Sequence, residues 1–72
     1  ELVIGVQRTE NLVIIKAQPG TALGIAAAID AAELPDVLGS LAGNDTILVI
    51  TRTASDGEQF ELMIGKLRSV RK

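Results

Sequence analysis

A two-layer α+β domain, with a four-stranded antiparallel sheet carrying two helices on one face, is the fold this sequence predicts. Three observations predict it. Four short runs rich in Val, Ile and Leu are separated by turn-forming residues. Two further segments have helical character, one rich in alanine and one with a single apolar stripe. Their order along the chain is strand, strand, helix, strand, strand, helix, and helices gathered on one face of an antiparallel sheet make a two-layer domain.

The first strand is read within Glu1 to Arg8, where Gly5 interrupts Leu2-Val3-Ile4 and marks a bulge or a close contact. Thr9-Glu10-Asn11 turns the chain into a second strand, Leu12 to Ala17. That strand, Leu-Val-Ile-Ile-Lys-Ala, is apolar on both faces. A half-solvated antiparallel strand alternates apolar with polar residues, and this one does not. Gln18-Pro19-Gly20 breaks the strand, and Thr21 is placed to cap a helix running to about Ala32. The helix is apolar nearly all the way round, which predicts burial on more than one side. Asp30 falls in its last turn, where an anion opposes the helix dipole at a cost of roughly 0.3–1 kcal/mol.

Glu33-Leu34-Pro35-Asp36 ends that helix. A hairpin follows, with strands Val37 to Ala42 and Asp45 to Thr53 about a two-residue turn at Gly43-Asn44. Gly and Asn tolerate the positive φ angles of tight hairpin turns. Ile47-Leu48-Val49-Ile50 is again apolar on both faces, so the sheet is expected to be covered on one side by the chain's own helices and on the other by a neighbouring subunit. Asp45, directly after the turn, either caps it or holds a cation. Ser55 and Glu58 fit a capping box for the last helix. Phe60, Met63, Ile64 and Leu67 lie at i, i+3, i+4 and i+7, one core-facing stripe, with Gln59, Glu61, Lys66 and Arg68 on the solvated side.

Seventy-two residues make one domain, 1–72. A chain of that size buries only about 60–65% of its unfolded surface. Hydrophobic residues are 47% of it, yet Phe60 is the one aromatic, so the core must be aliphatic and surplus apolar surface points to self-association. The absence of cysteine and histidine excludes disulfides, thiolate chemistry and the usual zinc and haem sites. No serine sits in a nucleophile-elbow context, and no glycine-rich phosphate loop is present. An enzyme is not expected, nor any metal or cofactor. No apolar run approaches the ~18–20 residues of a membrane span. Four of the seven basic residues fall in the last seven positions, a pattern that suits a helix C-terminus, and a net charge of −2 lacks the footprint of a DNA-binding domain. Beginning at Glu1, the sequence reads as a fragment of a longer cytoplasmic protein.

Gly39-Ser40-Leu41-Ala42-Gly43-Asn44-Asp45-Thr46-Ile47 resembles the Gly-Thr-Ile-Ala-Gly-Asp-Asp-Thr-Ile signature of the C-terminal domain of bacterial arginine repressors. Pro19-Gly20-Thr21-Ala22, Ile25-Ala26 and Ile29-Asp30 resemble that family's Pro-Gly-x-Ala…Asp helix, and the likeness extends over essentially the whole chain. The resemblance implies the same two-layer fold, and trimers that pair into hexamers with L-arginine as corepressor between them. By position, Asp45 and Asn44 would take the guanidinium, Asp30 the α-amino end, and Ser40 and Ala42 would line the pocket. Operator DNA would be bound only through an N-terminal winged-helix domain outside this chain.

Two positions depart from the family's pattern. Asn44 replaces an acid and keeps an acceptor without its charge, and hydrogen bonds to charged groups contribute about 1.5–3 kcal/mol, so a ten- to hundredfold loss of affinity is on the expected scale. Leu23 replaces a polar residue, often Gln, in the ligand pocket. Three readings stay open: an arginine-sensing repressor core, the same core without sensing, or an amino-acid-sensing module of a metabolic enzyme.

Overall fold

In a computed structural model the described residues are 3–70, with side chains to residue 66. Leu67, Arg68, Arg71 and Lys72, assigned above to the stripe, the solvated side and the basic end of the last helix, lie outside the described side chains. The elements are β1 (Val3–Thr9), β2 (Leu12–Ala17), α1 (Ala22–Ala32), β3 (Val37–Ala42), β4 (Thr46–Thr51) and α2 (Ala54–Val70). They form one antiparallel sheet in the order β1-β2-β4-β3. The expected fold class is therefore met: two hairpins lie side by side through β2 and β4, and α1 carries the chain from one to the other.

Strand alternation decides which side the helices cover. Val13 pairs with Val49 and Ile15 with Ile47, and all four are fully buried. Ala17, Ala22, Ala26, Ile29, Phe60 and Ile64 complete the aliphatic core around the one phenylalanine. α1 packs on β3 and β4, and α2 on β1, β2 and β4. The opposite face repeats the same chemistry without a cover. Leu12 pairs with Ile50, and Ile14 with Leu48, which also pairs with Leu41. These side chains are only partly buried, and Leu41 is 66% exposed.

Both edge strands carry a bulge. The register shifts between Val3 and Gly5, as Gly5 predicted, and again between Val37 and Gly39. The extra residues, Ile4 and Leu38, are exposed.

Three local expectations are corrected. The Thr21 hydroxyl does not cap α1; it donates to the Gln18 carbonyl at 2.7 Å. The cap of α2 is Thr53 and not Ser55, since Thr53 Oγ1 accepts the Asp56 N–H at 3.1 Å. Gly57, inside the first turns of the helix, lies against the β1–β2 turn, where a Cβ would stand 2.9 Å from the Glu10 carbonyl oxygen. Met63 is 41% exposed while Phe60 and Ile64 are buried. It borders a groove of about 580 Å³ between the two helices, lined also by Gly24, Ile25, Ala28 and Ile64. Within the single chain α1 buries Ala22, Ala26 and Ile29 and partly buries Ile25, while Leu23, Ala27 and Ala28 are exposed.

Candidate functional site

The β3–β4 turn is built by its neighbours. Gly43 N–H donates to the Thr46 carbonyl at 2.8 Å, which centres the turn on Asn44-Asp45, one residue beyond the expected Gly43-Asn44. No residue from Gly43 to Thr46 has a positive φ, so the left-handed preference of Gly and Asn is not what forms it. External bonds hold it instead. Ala17 N–H, at the end of β2, donates to the Asp45 carbonyl at 2.8 Å, and Gly20 N–H donates to the Asn44 carbonyl at 2.9 Å. Gly20 has φ +86°, a left-handed conformation that favours glycine, and it leads directly into α1. The hairpin tip, the end of β2 and the approach to α1 are thus joined through the main chain.

With its carbonyls engaged inward, the tip presents its side chains to solvent. Asn44 is exposed. Asp45 accepts the Thr46 hydroxyl on Oδ1 at 2.9 Å, and its Oδ2 lies 3.9 Å from Lys16 Nζ. Lys16 also donates to Thr46 Oγ1 at 2.9 Å. Of the two expectations for Asp45, turn cap or cation holder, the second describes these contacts, and the cation comes from the same chain. Lys16 and Thr46 are register partners across β2 and β4, on the face away from the helices. Neither was singled out from the sequence. The one available signal was a lone cation in an otherwise apolar strand, and its meaning depended on β2 lying beside β4.

A second cluster forms where α1 crosses β3. Ser40 Oγ donates to Asp30 Oδ1 at 3.2 Å, joining the last turn of the helix to the middle of the strand. Ser40 lies opposite Val49 on the helix-facing side. Ala42, opposite Ile47 on the same side, is partly buried against the core. Leu23 stands in the first turn of α1 with 72% of its surface free. Leu23, Ala27 and Asp30 share one outward side of the helix by their spacing of four and seven residues.

The six expected residues therefore fall into an Asn44–Asp45 pair at the tip and an Asp30–Ser40 pair beside α1, with Ala42 on the strand between them and Leu23 on the outer helix surface. Asp30 borders a small cleft of about 180 Å³ with Glu33, Val37 and Gly39. The larger groove between the helices contains none of the six. What a single chain offers is a carboxylate, an amide and an ammonium at the tip, and a carboxylate with a hydroxyl beside α1. Such donors and acceptors suit the reversible binding of a small polar cation or zwitterion. Among the described residues, no three His, Cys, Asp or Glu side chains gather as a metal site requires, and no helix is long and apolar enough to cross a membrane.

Comparison with known proteins addresses the family directly. The family model described as "Arginine repressor, C-terminal domain" matches residues 1–66. An arginine repressor of Symbiobacterium thermophilum is 45% identical over 69 residues, covering 94% of this chain and 46% of that protein. One from Carboxydothermus hydrogenoformans is 46% identical over 59 residues, covering 82% and 37%. One from Thermotoga petrophila is 45% identical over 65 residues, covering 90% and 41%. The chain spans less than half the length of these relatives. The family consists of transcriptional regulators, not enzymes. A β-β-α-β-β-α sheet domain, an acid-bearing hairpin tip and a match over nearly the whole length agree: this chain belongs to the arginine repressor C-terminal domain family.

Proposed function

We propose that this chain is the oligomerisation and effector-binding core of an arginine-responsive transcriptional repressor that acts in the cytoplasm on genes of arginine biosynthesis or catabolism. Copies of the chain assemble into trimers, and two trimers form a hexamer with L-arginine as corepressor between them. Operator DNA is engaged by a separate winged-helix domain. The observation that carries the reading is the half-exposed Asp45 carboxylate at a tip whose own carbonyls are already bonded inward. A guanidinium is a planar fork of donors, best met by a carboxylate accepting two parallel N–H bonds. Asn44 supplies a neutral acceptor beside it, and Asp30 a second anion for the α-amino group. The uncovered row Ile14, Leu48 and Leu41 supports assembly, because exposed aliphatic rows of this kind mark protein interfaces.

Isothermal titration of L-arginine, with Asp45→Ala as control, tests the ligand. Saturable heat that disappears in the control is the expected result. Heat that persists in Asp45→Ala would move the guanidinium elsewhere.

A second reading, an assembly core that does not sense arginine, is favoured by the neutral Asn44 and by the Lys16 ammonium already facing Asp45. Molecular mass in solution, measured with and without L-arginine, separates the two. An arginine-independent mass together with no heat of binding selects the assembly core.

A further inference from the structure

We propose that Lys16 is a resident competitor for the cation that Asp45 binds, so that in the unliganded site Asp45 faces the protein's own ammonium. The inference rests on the reading that Asp45 takes a guanidinium.

The three side chains form a directed chain. Lys16 Nζ donates to Thr46 Oγ1 at 2.9 Å, which uses a lone pair of the hydroxyl and turns its single proton toward Asp45 Oδ1, also at 2.9 Å. The remaining carboxylate oxygen, Oδ2, faces the ammonium at 3.9 Å. One oxygen therefore already has a donor and the other faces a positive charge, and a bidentate guanidinium would use the same two oxygens. Two cations on one carboxylate repel each other, so a guanidinium binds more tightly once Lys16 has swung away.

Departure is easy. Lys16 is 53% exposed, on a flexible four-carbon stem that can carry its head into water. Exposed ion pairs of this kind are weak, so Lys16 raises the ligand concentration needed for occupancy by a small factor without blocking the site. It also offsets the charge of Asp45, which lowers the attraction of the tip for other cations.

The test is isothermal titration of L-arginine into the wild type, Lys16→Gln, Lys16→Arg and Asp45→Ala. Lys16→Gln is expected to bind about two- to fivefold more tightly than the wild type, the scale of an exposed ion pair. Lys16→Arg, which keeps a cation in place, is expected to return affinity to the wild-type value or below it. Thr46→Val removes the anchor of the ammonium while leaving Lys16 in the chain, and should tighten binding as Lys16→Gln does. Circular dichroism of each variant checks the fold. Equal or weaker binding by Lys16→Gln and Thr46→Val, with binding still lost in Asp45→Ala, overturns the competitor role and leaves the arginine site standing. Binding that survives Asp45→Ala, or no binding by any variant, overturns both.

Discussion

Gly57 of α2 stands against the main chain of Glu10: a Cβ at position 57 would lie 2.9 Å from the Glu10 carbonyl oxygen and 3.1 Å from Thr51 Oγ1. The same carbonyl accepts Arg8 Nη1 at 2.8 Å, and Thr51 Oγ1 reaches the carbonyls of Asn11 at 2.9 Å and Thr53 at 3.1 Å, donating to one at a time. The last helix therefore docks on a surface of bonded backbone that has little room to retreat. Gly57→Ala is expected to destabilise the protein by about 1–3 kcal/mol, the usual cost of overpacking, despite alanine's better helix propensity. Urea denaturation measures it, and a stabilised variant would refute the close approach.

Glu33 ends α1 at φ +51°, with its N–H donating to the Asp30 carbonyl at 3.1 Å. A left-handed residue there is most at ease as glycine. Relief of that strain exceeds the added freedom of the unfolded chain, so Glu33→Gly should stabilise by about 0.5–1 kcal/mol. A rise in thermal midpoint, with unchanged far-ultraviolet dichroism, is the expected readout.

Two hydroxyls near the start of α2 give contrasting predictions. Thr53 caps the helix through the Asp56 N–H, whereas Ser55 is exposed. Thr53→Ala should cost about 0.5–2 kcal/mol, and Ser55→Ala should stay within about 0.5 kcal/mol of wild type. Equal losses in both would restore the capping box at Ser55.

Leu41 tests assembly separately from folding. It is 66% exposed in the single chain, beside Leu48 on the uncovered sheet face. Leu41→Glu should change the stability of the isolated protomer by no more than about 0.5 kcal/mol. Its mass by sedimentation should nevertheless fall below that of the wild type, because a carboxylate placed in an aliphatic interface loses its hydration. An unchanged mass would remove this face from the assembly.

Legibility in the sequence followed how local each cause is. Leu12–Ala17, Ala22–Ala32 and Val37–Ala42 carry their own periodicity and breakers, and they match the observed elements residue for residue. The bulge at Gly5 was readable for the same reason. The hairpin tip was displaced by one residue because its position is set by N–H donors at Ala17 and Gly20, more than twenty residues earlier in the chain. Thr53 as the cap was legible locally, since Thr53-Ala54-Ser55-Asp56 fits a capping pattern as Ser55-x-x-Glu58 does, and the Asp56 N–H on Thr53 Oγ1 decides between them. Met63 fits the stripe by spacing, yet only Phe60 and Ile64 point where the sheet is. Among the candidate residues, Asp30 and Ser40 came from the resemblance, and their mutual hydrogen bond became visible only when α1 was laid on β3. Thr46 is Asp45's own chain neighbour, whereas Lys16, a lone cation in an apolar strand, reaches Asp45 only because β2 lies beside β4.

The bonds from Ala17 and Gly20 to the tip have a consequence for the energetics of recognition. Fixing a backbone residue costs about 1–2 kcal/mol in conformational entropy, and at Asn44 and Asp45 that loss occurs when the domain folds. Under the function proposed above, a ligand arriving at the tip would meet a preorganised main chain, with side-chain rotamers left to be ordered. On that reading affinity and folding stability would be coupled through two amide hydrogens. Loosening the segment before α1 would then weaken the proposed recognition from a distance, through the main chain alone.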